Sequence, residues 1–386
     1  ITIAFSWGCG KKEEPVPKAP IKIGAFFTLS GPAAFIGAPT QLVAEMVVDK
    51  INKEGGINGH LLDLVIGDTE SDPTKAIMVA KRLVENEKVV ALIGPTRTGT
   101  GMAVKKYLEG KQIPTFMTVG GDPVIMEGVH GGKNFGTAKW IFKSPQRSSI
   151  AVKKVYMYLQ AKKVKNIALI TASDGFGRDG KRWLTKLAGQ YGLEIVANES
   201  FEPKDADMTT QLTKIKSTDA QVIVCWTIGP AGSIVAKNVK QLAIKLPLVQ
   251  CHGLPDPKYI ELAGKASEGN VMPSTKLMVY NQLPNSDPQK AVIEEFVRLY
   301  NQVYNYDRKF PINAHSGYAW DAIYIVANAM KKVGTNKARL RDAIEQTTDY
   351  VGISGIYNIT PKDHNGLGTN SMVMVMIWNG EWRLVY

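Results

Sequence analysis

Residues 21–67 read IKIGAFFTLSGPAAFIGAPTQLVAEMVVDKINKEGGINGHLLDLVIG, and they decide the fold class. Ile21–Phe27 is a β-branched and aromatic run of strand length. Thr40–Asn52 carries apolar residues at Leu42, Val43, Met46, Val47 and Ile51. That is the spacing of one helix face, and it stops at Gly55-Gly56. Leu61–Gly67 is a second strand. Strand, helix and strand in so short a span make a βαβ unit, which lays parallel strands side by side with the helix across them.

The rhythm continues outward. Helix Pro73–Glu85, strand Val89–Ile93, helix Gly99–Glu109 and strand Pro114–Thr118 follow in order. It restarts after about residue 145 with helix Ser148–Gln160, strand Asn166–Thr171, helix Gly180–Tyr191 and strand Glu194–Glu199. Helix Met208–Lys216, strand Ala220–Trp226, helix Ala231–Leu242 and strand Leu246–Cys251 complete the second series. Two such series predict two similar α/β lobes, each a parallel sheet flanked by helices. After Pro273 long helices dominate: Pro288–Tyr304, Ala314–Val333 and Lys337–Glu345. Strands Met372–Trp378 and Trp382–Tyr386 end the chain, joined at Asn379-Gly380, a strong hairpin signal. This late block suits a chain that returns to complete both lobes.

Composition narrows the function classes. The chain has 386 residues, 44% hydrophobic and 21% charged, enough for two ordinary globular domains. Three cysteines rule out a disulfide framework. The net charge is +12, but lysines such as Lys153, Lys154, Lys162, Lys163 and Lys165 fall on helix faces and read as solvated surface. The five histidines (His60, His130, His252, His315, His364) lack metal-site spacing, and no Walker loop or Gly-x-Ser-x-Gly elbow occurs. No catalysis, metal or cofactor is expected. A DNA-binding repressor needs a helix-turn-helix before the first strand, and the apolar, charged and Pro-rich residues 1–20 do not form one.

Those first residues read as an export segment. Ile1–Trp7 is apolar, Gly8-Cys9-Gly10 follows, and a polar, Pro-rich stretch runs to Pro20. Cys9 resembles a bacterial lipoprotein attachment site, although Ser6 stands where such sites favour Leu. From residue 21 onward no stretch reaches the roughly 18 apolar residues of a membrane span. The expectation is a periplasmic or cell-surface monomer, tethered by lipid if Cys9 is processed.

In parallel sheets ligands bind beyond the carboxyl ends of the strands, at helix N-termini. The first such loop is Thr28–Gly37, with Phe35 and Ile36. The next runs from Gly94 to Gly101 and holds Thr96 and Thr98; a third holds Val119, Gly120 and Gly121. Hydroxyls and open backbone N–H groups collect here, a set that binds a carboxylate without a side-chain cation. Each loop alone is ordinary helix capping; three in succession point to an anion-binding wall. In the second series, Phe176, Trp226, Thr227, Ile228 and His252 stand at the strand ends, where Phe176 and Trp226 offer an apolar lid.

Several motifs in this order resemble one family. They are Ile23-Gly24 through Ser30-Gly31-Pro32, Ile51–Gly59, Asp68 with Ser71-Asp72-Pro73, Leu92-Ile93-Gly94-Pro95, Asp174-Gly175-Phe176-Gly177 and Ala266-Ser267-Glu268-Gly269. Together they resemble the type I periplasmic binding proteins of branched-chain amino acid (Leu/Ile/Val) ABC transporters, from about residue 21 to the end. The resemblance implies two Rossmann-like lobes joined by three crossovers, near Phe142–Ser144, Pro273–Thr275 and Asn370. It gives one lobe at 21–142 plus 274–369, another at 143–273 plus 370–386, and residues 1–20 as the tether. It implies a ligand in the cleft, closure about the hinge, and a permease and ATPases as partners. A sensory ectodomain would share the fold, the ligand and the closure, but would signal through a partner in place of the permease and ATPases.

Carried over by motif, the carboxylate-holding hydroxyl falls at Thr98 and the aromatic contact at Phe176. The family's amino-acid binders place an acidic residue at the loop aligned with His252, to pair with the ligand's ammonium. Cys251-His252-Gly253 has none, and a buried ammonium without a carboxylate is costly. Gly121 also replaces a family Thr. Both changes favour an aromatic or aliphatic carboxylate without an ammonium. A shift of one or two residues would bring Asp256 into the loop, which keeps α-amino acids open. The family's first-lobe disulfide cannot form, since Ser71 and Arg97 occupy its positions. Cys225 and Cys251 end successive strands, and the sequence leaves open whether they bond.

Overall fold

Strand β1 (Ile21–Phe27) sits inside a five-stranded sheet because both of its faces are apolar. Ile23, Ala25 and Phe27 point into the core under helix Ala34–Lys53, while Phe26 points into a second core with Ala80, Leu83 and Val104. Gly24 shares that second face, where a Cβ would lie 2.6 Å from Leu92. The computed structural model describes residues 18–31, 33–126 and 137–385. Residues 1–17 of the expected tether with Cys9, Pro32 of the first loop and Tyr386 lie outside them.

β1 pairs in parallel with β2 (Leu62–Asp68) and β3 (Leu92–Ile93). β4 (Thr115–Met117) and β5 (Ile141–Lys143) extend the sheet in the order β2-β1-β3-β4-β5. The chain then enters a seven-stranded sheet. Its parallel part runs β7-β6-β8-β9-β10, with β6 (Asn166–Ala172), β7 (Glu194–Phe201), β8 (Val222–Trp226), β9 (Leu248–Val249) and β10 (Val271–Ser274). A short pair, β11 (Tyr350–Val351) and β12 (Ile356–Tyr357), stands apart. Antiparallel strands β13 (Val373–Trp378) and β14 (Glu381–Leu384) complete the second sheet beside β10. Asn379 and Gly380 both have positive φ, 52° and 75°, as the two-residue hairpin between them requires. Between β10 and β13 the chain returns to the first sheet. Helix Gly317–Val333 packs on helix Ala34–Lys53, Lys50 pairs with Glu295 at 3.4 Å, and Tyr304 donates to Asp49. The two sheets with their flanking helices form the expected two α/β lobes.

Two helices begin earlier than their spacing predicts, for the same reason. Helix Ala34–Lys53 starts six residues before Thr40 and takes in Gly37 and Pro39; helix Gly175–Leu187 starts five residues before Gly180 and takes in Gly175 and Gly177. Gly and Pro usually mark loops, but here the first helical turn is pressed onto the end of the preceding strand. A Cβ on Gly37 would lie 1.9 Å from the Thr28 carbonyl oxygen, and one on Gly177 1.9 Å from that of Ala172. Only glycine permits such contact, and it brings both helix N-termini to the cleft. Helix Pro257–Ala263, which periodicity alone does not reveal, is set by Asp256 as its cap and Pro257 in its first turn. Among the described residues no helix is long and apolar enough to cross a membrane.

Candidate ligand-binding cleft

The cleft is built from loops that leave the carboxyl ends of strands in both sheets. On the first side, Asp68 fixes the loop after β1 by accepting from Leu29 N at 2.9 Å and Ser30 Oγ at 2.6 Å. Thr28 N donates to Thr96 Oγ1 at 3.0 Å, which joins that loop to the next. Helix Thr98–Gly110 starts at the cleft, with Thr98 and Gly99 lining the space, and no side chain among the described residues caps it, so its first N–H groups lack a side-chain partner. Thr98 Oγ1 accepts from Gly121 N at 3.2 Å and keeps its own proton to donate. Gly121 is therefore a fitted partner of Thr98: a Cβ there would lie 2.5 Å from the Thr98 methyl.

On the second side stand Phe176, Ile228, His252 and Gly253. The space between the two sides, counted out to solvent, is about 480 Å³. Phe176 lies edge-on to His252, with ring centres 5.3 Å apart. Gly120 meets this pair from the first sheet; a Cβ on it would lie 2.9 Å from Phe176 Cε2 and 3.0 Å from His252 Nε2. An ion pair also spans the cleft: Arg97 donates to Asp174 Oδ2 at 2.9 Å, both about one-fifth exposed. The other oxygen of Asp174 caps its helix through Gly177 N at 2.8 Å. Burial pushes the His252 imidazole down to about 3, with Lys143 and His315 adding to the effect, and burial pushes His315 down to about 4. Both rings are therefore neutral near pH 7. Lys143, which donates to Gly120 O at 2.7 Å, is pushed down to about 8 by burial.

With that geometry in hand, the chain can be set beside known proteins. The sequence profile of the periplasmic binding protein family matches residues 20–381. The chain belongs to that family. Its curated relatives include a Leu/Ile/Val-binding protein of Rhizobium johnstonii, 22% identical over 83% of this chain and 82% of the relative. Another is a Leu/Ile/Val-binding protein homologue of Brucella suis, 23% identical over 95% and 92%. An extracellular ligand-binding receptor from Rhodopseudomonas palustris superposes with a TM-score of 0.85 at 25% identity, covering 95% of this chain and 99% of that one. The binding protein LivJ from Streptococcus pneumoniae, solved with isoleucine, superposes at 0.80 and 25% identity over 95% and 99%. The chain is thus a type I periplasmic binding protein, of a family of solute-binding proteins whose members similar to it include branched-chain amino acid binders.

Of the residues expected to form the site, Ile36, Thr96, Thr98, Gly120, Phe176, Ile228 and His252 line the cleft of this binding protein. Five stand elsewhere. Phe35 lines an adjoining apolar pocket with Gly229, Leu254 and Tyr259. Val119 is wholly buried in the first sheet's core, and Gly121 supports Thr98 from behind. Trp226 is fully buried behind Phe176 and His252, at 5.9 and 5.4 Å, so it is a backing wall and not a lid. Thr227 is buried, and its carbonyl takes a hydrogen bond from Cys251 at 2.9 Å. Asp256 is occupied too: its oxygens accept from Lys258 N at 2.7 Å and Asn313 Nδ2 at 3.0 Å, beside the Phe35 pocket. Cys225 and Cys251 are buried free thiols.

Four important lining residues escape sequence reasoning: Arg97, Asp174, His315 and Tyr318. Asp174 reads as the first residue of a family motif at a strand end and Arg97 as a loop residue at a family cysteine position, and nothing local singles out either as a contact. His315 and Tyr318 come from the returning segment, which no local pattern ties to the cleft.

The histidines give this binding protein a stability signature. A buried imidazole whose folded value lies below 6.5 contributes full stability above pH 6.5 and loses it as pH falls toward 3. Wild type should therefore lose up to about 2 kcal/mol between pH 6.5 and 5 that a His252→Phe variant keeps. Urea unfolding of both proteins at the two pH values measures it, and parallel losses would contradict the assignment.

Proposed function

We propose that this protein is the solute-binding component of an ABC transporter and captures a small carboxylate-bearing organic molecule, aromatic or aliphatic, by hinge closure. The observation that carries the ligand class is the charge of the cleft. An uncapped helix N-terminus with the Thr98 hydroxyl faces Phe176 and a neutral His252, while Asp174, the acid lining it, is held by Arg97 and Gly177. Such a site favours a carboxylate and gives an ammonium no free counter-charge. In this reading the lobes divide at 142/143, 273/274 and 369/370, with the Phe176 and Thr98 walls closing on the ligand. A permease and its ATPases receive the cargo, the protein acts as a monomer, and Cys9 carries the lipid anchor.

A branched-chain amino acid is the second reading, favoured by the names of the relatives and by the isoleucine in LivJ. A thermal-shift screen separates the two, since ligand at 100 times its Kd adds about 2.7 kcal/mol of stability. Aliphatic or aromatic carboxylates should raise the melting temperature more than leucine or valine does. Shifts from leucine and valine alone would select the second reading. Thr98→Ala should weaken any carboxylate that binds by about 1–2 kcal/mol in calorimetric titration; an unchanged affinity would place the carboxylate elsewhere.

A further inference from the structure

His252 follows β9, and His315 stands just before helix Gly317–Val333 on the returning segment; the fold brings both to the cleft. Both are buried, 3% and 6% exposed. The Gly253 backbone sits against the His315 ring and favours an N–H there, and since Nε2 is the unpartnered nitrogen that N–H is on Nδ1, which leaves the lone pair on Nε2. Among the described residues that Nε2 has no hydrogen-bond partner, and neither ring nitrogen of His252 has one. A neutral His252 thus presents one donor and one acceptor, and His315 presents one more acceptor. Buried polar atoms in native proteins are almost always hydrogen-bonded, so three in one cleft call for an explanation.

The neighbours do not supply it. Phe176 and Trp226 offer His252 only ring edges and faces, and Gly120 has no side chain. The chemistry of the missing partner follows. A carboxylate has no proton to give to a lone pair. An ammonium has protons, but Lys143 and Arg97 are the cations of this region, and Asp174 is already engaged. An uncharged hydroxyl answers two of the three at once, which neither ion does: it accepts from the His252 N–H and donates to the lone pair of His315.

We infer that the ligand carries an uncharged hydroxyl besides its carboxylate, held by His252 and His315, so that the cargo is a hydroxylated carboxylic acid. This rests on the carboxylate reading above. The carboxylate takes the N-terminus of helix Thr98–Gly110, and the carbon frame lies between Phe176, Ile228 and Tyr318. His252 and His315 are the specificity residues at the far end.

Calorimetric titration of the full chain with matched acids tests it. One set is 4-methylpentanoate, 2-hydroxy-4-methylpentanoate and leucine; the other is benzoate with 3- and 4-hydroxybenzoate. On at least one skeleton the hydroxylated acid should bind at least about tenfold more tightly than the acid lacking the hydroxyl, because that acid leaves buried ring nitrogens unpaired. His315→Phe should collapse this ratio toward one, and His315→Gln, which returns an acceptor oxygen, should restore part of it. Equal affinities within both sets would overturn the inference and leave the carboxylate reading standing. A ratio that survives in both variants would overturn it too, by placing the hydroxyl elsewhere. Binding of leucine alone, or of no member of either set, would overturn both.

Discussion

Gly120→Val is expected to abolish ligand capture while leaving the ligand-free protein folded. Gly120 follows β4 in the first sheet, whereas Phe176 and His252 belong to the second. The contact therefore crosses the cleft. A single Cβ would already stand 2.9 Å from Phe176 Cε2 and 3.0 Å from His252 Nε2, inside normal carbon contact, and valine adds two methyl groups beyond it. Under the proposed hinge motion the cheapest relief is to open the cleft, which strains neither lobe. The closed state is then reached only against the clash, and affinity falls at least about 100-fold, or about 2.7 kcal/mol. Titration with a ligand from the screen reads the affinity, and the melting point without ligand reads the fold. Gly121→Val is the control. Its Cβ would press on Thr98, 2.5 Å away and in the same lobe, so opening gives no relief and the ligand-free melting point should drop. Normal binding by Gly120→Val would mean that the ligand is held without this approach of the sheets.

These neighbouring glycines show what a sequence displays and what it hides. β1 runs over the residues expected, Ile21–Phe27, because a strand buried on both faces is apolar at successive positions, and that is a local property. The starts of helices Ala34–Lys53 and Gly175–Leu187 were hidden because Gly37 and Gly177 serve a close approach to a strand carbonyl, a tertiary demand that looks like a loop in one dimension. The same limit applied to the site. Thr98, Phe176 and His252 are legible because the carboxyl-end rule for parallel sheets selects them. Trp226 obeys that rule and still lies behind the cleft, since its position on β8 turns it into the core against Gly180. Arg97 and Asp174 pair across the lobes, and His315 arrives from the returning segment; contacts of that range leave no mark in local spacing.

The second large effect concerns the place where that returning segment meets the exit from the first sheet. Asp321 on helix Gly317–Val333 is wholly buried. Its Oδ1 accepts from Ile353 N at 2.7 Å, and its Oδ2 accepts from Ser354 N at 2.8 Å. Oδ2 also lies 3.0 Å from the Tyr357 hydroxyl, whose one proton can go to Oδ2 or to Ser144 O, 2.7 Å away just beyond β5. Gly352 allows the approach, since a Cβ there would lie 2.3 Å from Oδ1. Asp321→Ala leaves two buried backbone N–H groups unpaired and opens a cavity, so stability should fall by about 3 kcal/mol at pH 7. Burial pushes this carboxyl up to about 6, against the hydrogen bonds from Ser354, Ile353 and Tyr357. The folded protein thus holds the proton more tightly than the unfolded chain, whose value is near 3.8. Stability from that proton is fully present below pH 3.8 and is lost as pH rises through 6. The deficit of Asp321→Ala, measured by urea unfolding, should therefore be about 2–3 kcal/mol larger at pH 4 than at pH 7. A deficit that grew with rising pH would mean the opposite: this pocket would hold the ionised carboxylate better than the acid, and the three donors around Asp321 would outweigh its burial.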